Sequence, residues 1–62
     1  MYVIRLTRIV RQNEPPVVTF LTATSPLRWG ERDAALRFKT NGEARRVAQS
    51  LNISGRWAVE EL

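Results

Sequence analysis

Phe38-Lys39-Thr40-Asn41-Gly42-Glu43-Ala44-Arg45-Arg46-Val47-Ala48-Gln49-Ser50-Leu51 decides how this chain folds. Thr40 stands three residues before Glu43, the S/T-x-x-E spacing of a capping box. Such a box satisfies backbone N–H groups that a helix start leaves orphaned. Ala44, Val47, Ala48 and Leu51 follow at i, i+3, i+4 and i+7, a single apolar stripe. Its small residues let the helix sit close to whatever it covers. Asn52 suits the left-handed stop position, with Ile53 packing back on the last turn. Upstream, Ala34, Leu36 and Phe38 alternate with Ala35, Arg37 and Lys39. That alternation predicts a strand over residues 34–39 that delivers the chain into the helix.

The N-terminal half supplies the sheet. Tyr2, Ile4, Leu6 and Val10 fall on one face of an alternating run, and Val3, Arg5, Thr7, Ile9 and Arg11 on the other. Gln12-Asn13-Glu14-Pro15-Pro16 is a polar hairpin loop, because proline removes ladder donors and cannot continue a helix. Val17 to Thr24 is dense in β-formers and reads as a second strand antiparallel to the first. Its inward set is either Val18 with Phe20 or Val17 with Leu21 and Ala23. Ser25 to Asp33 reads as a loop punctuated by Pro26 and Gly30, with Trp29 in its middle and a short helical turn possible at residues 30–35. Arg56 to Leu62 closes the chain as a strand with Trp57 and Val59 inward.

The expected architecture is one α+β domain over residues 1–62. It has a small three- to four-stranded mixed sheet in the order β-β-β-α-β, with one helix packed on one face. If the first three strands form a meander, the last runs parallel to the first and third. Its crossover would be right-handed and its place beside the first strand.

The run Trp29…Ala35-x-x-Phe38-x-Thr40-x-x-Glu43-Ala44…Leu51 resembles a pattern of short bacterial and phage α+β proteins, W…A-x-x-F-x-[ST]-x-x-E-A. In these a helix and a short terminal strand follow. The resemblance covers roughly the last half of the chain. It implies an inward aromatic, a cap and a helix, and no catalytic residue.

At 62 residues the chain buries a limited share of its surface. Small domains compensate with disulfides, metals or a partner subunit. The sequence holds no cysteine and no histidine, which removes disulfides and leaves no ordinary zinc site. Self-association is therefore an expectation. The same absences exclude Ser-His and Cys-His nucleophiles and an imidazole base. Glu31 with Asp33, and Glu60 with Glu61, read as solvated pairs rather than acid–base couples. No catalytic, cofactor or metal residue is assigned, and the chain reads as a non-enzyme.

The net charge is +4, and all ten basic residues except Lys39 are arginine. Arginine suits bidentate contacts to phosphate or carboxylate. No apolar run reaches membrane-spanning length, and residues 1–5 do not read as a signal peptide, so a cytoplasmic protein with no membrane partner is expected.

If the strands face the helix as assigned, Arg5, Arg37, Lys39 and Arg56 converge on the opposite, open face of the sheet. Val3 and Ile9, with Val17 or Leu21, would lie exposed among them. An apolar face rimmed by arginine fits a protein interface, with another protein or in a homodimer. The leading expectation is a small interaction module presenting that face. The alternative is a basic nucleic-acid-binding protein using the same arginines, which also needs exposed stacking rings such as Tyr2 or Phe20. Trp29 is either a loop anchor for a partner or a lid folded back over the core. Arg45, Arg46 and Gln49 lie on the helix surface, and with no second helix they do not make a helix-turn-helix.

Overall fold

The computed structural model describes every residue except Val10, whose inward assignment therefore lies outside the described residues. Strand β1 (Tyr2–Arg8) and strand β2 (Val17–Thr24) flank the proline-bearing loop, as their alternation and the two prolines dictate. Strand β3 (Leu27–Gly30) follows a two-residue turn, and a single 3₁₀ turn (Arg32–Ala34) ends that passage. Helix α1 (Asn41–Ser50) and strand β4 (Arg56–Glu61) complete the chain. The four strands form one sheet in the order β3-β2-β1-β4, so β4 lies beside β1 as expected.

Two expectations are corrected. The sheet is antiparallel throughout rather than mixed, and β4 runs against β1, with Ile4 opposite Val59 and Leu6 opposite Trp57. The third strand is Leu27–Gly30, not residues 34–39. The second error explains the first. After β3 the chain makes an extra return pass through residues 35–38, antiparallel to β1, before the helix. One more reversal turns the last strand over, and among the described residues no parallel crossover exists.

The expected alternation holds only at residues 36–38, because Ala34 is exposed in the 3₁₀ turn and Ala35 is buried. Leu36 and Phe38 face the core, and Arg37 is exposed. The segment does not become a strand because it has room only as a wedge. β1 and β2 pair from Arg5–Phe20 to Arg8–Val17 and part below that. Into the gap the Leu36 N–H donates to the Leu21 carbonyl at 2.8 Å. Phe38 and Tyr2 exchange N–H to carbonyl bonds, both 2.8 Å.

The helix begins where its cap requires. The Glu43 N–H donates to Thr40 Oγ1 at 3.1 Å. The return limb of the capping box, Glu43 onto the Thr40 N–H, is not made. Asn52 takes φ +55° and stops the helix as expected. Ala44 and Ala48 are fully buried, so the helix lies close on the sheet. They meet Ile4, Leu21 and Phe38 in the core, with Tyr2, Trp29, Val47, Leu51, Trp57 and Val59 packed around them. No helix is long and apolar enough to cross a membrane among the described residues.

Candidate functional site: the open face of the sheet

Only one side of the sheet carries the helix, and alternation along each ladder sorts the side chains between the two sides. Ile4, Leu6, Leu21, Trp29, Trp57 and Val59 take the helix side. The open side is then read from the pairs. Arg5 stands between Phe20 on β2 and Ala58 on β4, Thr7 between Val18 and Arg56, and Val3 opposite Glu60. The β2 register shifts between Leu21 and Ala23, a bulge that leaves Ala23 opposite Arg28. Gly30 lies opposite Phe20, and a Cβ built on it would stand 3.2 Å from Thr22 Cγ2. The β3 edge is therefore short and crowded.

This resolves the two alternatives for β2: Leu21 faces the core, while Val18 and Phe20 face outward. Phe20 is half-buried and Val18 is 49% exposed. Ile9, at 71%, continues the same apolar surface past the end of β1. Val3 departs from expectation, being fully buried on the open side. It lies on a central strand, with Glu60 directly opposite and Arg5 next along the face. Long stems of this kind shelter a short neighbour.

Of the four predicted basic residues, the ladders place Arg5 and Arg56 on the open side. Arg37 joins them between the inward Leu36 and Phe38. Lys39 does not, because it stands exposed beyond the last bridge, at the entry to the helix. Trp29 stands on a strand rather than in the loop expected for it. It lies on β3 opposite Leu21 and packs against the core as a lid. Arg28, its outward neighbour, was missed. Reading residues 25–33 as a loop hid the alternation that sends Trp29 in and Arg28 out.

Arg5 is not wholly free. Its Nη1 lies 3.7 Å from Glu60 Oε2, with both side chains about a third exposed or more. That is a charge contact beyond hydrogen-bond reach, and Glu60 Oε2 is buried without any donor. A partly exposed pair of this geometry contributes about 0–1 kcal/mol. Arg28, Arg37 and Arg56 form no ion pair among the described residues. Thr7, Arg8, Ile9, Pro16, Gly55 and Arg56 line a shallow, largely apolar depression of about 430 Å³ at the Arg56 end of the face. On the other side of the sheet, Tyr2 stands opposite Glu61, whose carboxylate hydrogen-bonds the phenol and raises its pKa above the ordinary value of 10.0.

Among the described residues no three of His, Cys, Asp and Glu come together as a metal cluster. No family model, curated protein or solved structure matches the chain.

Proposed function

We propose that this chain is a non-enzymatic interaction module whose working surface is the helix-free face of its sheet, offered to another protein. The observation that carries the reading is the make-up of that face. Phe20, Val18 and Ile9 give an apolar centre, and Arg5, Arg28, Arg37 and Arg56 stand around it. An apolar core with an arginine-bearing rim is the anatomy of protein interfaces, where aromatic and arginine side chains supply much of the binding energy. The basic rim favours a partner with an acidic surface.

Immobilised protein tests this by capture from host lysate, with and without nuclease, beside a Val18→Arg variant. Val18 is half-exposed, so the new charge spares the fold. Nuclease-resistant capture that Val18→Arg abolishes supports the reading. Capture that the variant leaves intact places the partner elsewhere.

One observation favours a second reading, single-stranded nucleic acid. Phe20 is an outward ring directly opposite Arg5, and stacking beside a cation is how sequence-tolerant single-strand binding works. Fluorescence anisotropy with single-stranded and duplex oligonucleotides at two salt concentrations checks it. Phosphate contacts weaken steeply with salt. No binding at low salt ends this reading.

A further inference from the structure

We propose that the free edge of β4 pairs with β4 of a second copy of this chain, antiparallel about a two-fold axis through Ala58, so that two sheets become one. The inference stands independently of what the open face binds. The sheet has two edges, β3 and β4. β3 has four residues and a register shift, whereas β4 has six and pairs with β1 without interruption. A long regular edge exposes a row of unpaired backbone groups and is a template for another strand.

The ladder says which groups are free. The Leu62 N–H donates to the Met1 carbonyl at 2.7 Å. Alternation then turns the backbone groups of Arg56, Ala58 and Glu60 toward β1, and those of Trp57, Val59 and Glu61 toward the edge. Two copies can pair only in registers that set these edge-facing residues against one another.

One such register is self-complementary. With Ala58 opposite its own symmetry mate, Trp57 faces the partner's Val59 and exchanges hydrogen bonds with it. Arg56 faces the partner's Glu60 in a close, non-hydrogen-bonded pair, and by symmetry the contact occurs twice. Aromatic against β-branched, and cation against anion, are the favourable cross-strand pairs. Shifting each partner by two residues toward the C-terminus sets Glu60 against the partner's Glu60, which repels. The intermediate register pairs Val59 with itself and gives Arg56 no carboxylate.

Glu60 supplies a second, independent observation. Its Oε2 is buried with no hydrogen bond, and Arg5 stops 3.7 Å away. Arg56 has no ion partner among the described residues. In the proposed register the Glu60 carboxylate lies between Arg5 of its own chain and the partner's Arg56. Opposed residues share a face, so the two open faces align on one side of an eight-stranded sheet. A short ladder buries little area, and the dimer is of roughly micromolar affinity or weaker.

The test uses the full chain. Light scattering after size exclusion, from about 10 µM to 1 mM, should show concentration-dependent dimer. A strict monomer throughout overturns the proposal. Arg56→Glu places like charges in both contacts and should weaken dimerisation at least about tenfold. An unchanged dimer overturns the register. Ala58→Cys gives a readout that does not depend on charge. Cα atoms in a close pair stand about 4.5 Å apart, within disulfide range, and the native chain has no cysteine to compete. In glutathione buffer, with folding checked by circular dichroism, Ala58→Cys should form covalent dimer at least about tenfold faster than Arg28→Cys on the opposite edge. Equal rates, or faster dimer formation by Val59→Cys, overturn the assignment.

Discussion

Gly55 takes φ +125°, and a Cβ built on it would stand 3.2 Å from Leu6 Cδ1. Both facts resist a side chain. The backbone angle belongs to glycine, and Leu6 is buried and has little room to give. Gly55→Ala should destabilise the fold by about 1–3 kcal/mol, read as a lower urea midpoint at unchanged slope. Tyr2 offers a different measurement, because it is the chain's one tyrosine. Glu61 raises its pKa above the ordinary value of 10.0 in the folded chain. A group whose folded pKa is raised contributes stability that is complete below its unfolded pKa and disappears as pH climbs through the folded one. Stability should therefore be flat around neutrality with respect to this group and decline above about pH 10. Glu61→Gln should bring the phenol titration, followed by tyrosinate absorbance, back toward the ordinary value and flatten that decline. An unmoved titration curve would show that Glu61 does not act on the phenol.

At the scale of elements the wedge of residues 36–38 matters most, because it seals the gap where β1 and β2 part. Phe38 drives its ring into the core while its backbone bonds to Tyr2. Phe38→Ala removes a large buried ring, at a cost of about 3–5 kcal/mol. A chain of 62 residues has roughly 3–9 kcal/mol of stability in all. Chemical denaturation should show most of the folded population's margin gone, whereas Arg37→Ala next door should stay within about 0.5 kcal/mol of the native chain. The same segment marks how far the sequence could be read. The Thr40 cap, the Ala44–Val47–Ala48–Leu51 stripe, the Asn52 stop and strands β1, β2 and β4 were legible, because each rests on local periodicity or a local hydrogen bond. Period-two alternation at residues 36–38 was also legible, but it reports which side chains face inward, not how long a ladder forms. That depends on the parting of β1 and β2, a tertiary fact. β3 escaped notice because four residues between Pro26 and Glu31 are too few to show a period. With β3 hidden, Arg28 was lost from the site, and the facing of Val18 and Phe20 stayed open until pairing with Thr7 and Arg5 decided it.

Across the whole molecule the charge is unevenly spread. The chain carries +4, and the open face holds Arg5, Arg28, Arg37 and Arg56 against the single carboxylate of Glu60. Three of the four net positive charges therefore lie on one side, while acidic Glu14, Glu31, Asp33, Glu43 and Glu61 offset most of the remainder. On the helix side Arg45 is also held at home, its Nε donating to Asn41 Oδ1 at 2.8 Å. A field set by placement differs from one set by total charge, and the difference is measurable. Arg28→Gln with Arg37→Gln, and Arg45→Gln with Arg46→Gln, lower the net charge equally. All four side chains are exposed, and neither double variant should shift the melting transition by more than the small change expected of surface substitutions, about 0.5 kcal/mol per site. On immobilised heparin the two should separate. The open-face variant should elute at clearly lower salt than the native chain, and the helix-face variant close to it, since a polyanion settles where the positive potential is focused. Equal displacement of both would mean that the chain meets polyanions through its overall charge alone, and the open face would lose its claim to be the surface that meets an acidic partner.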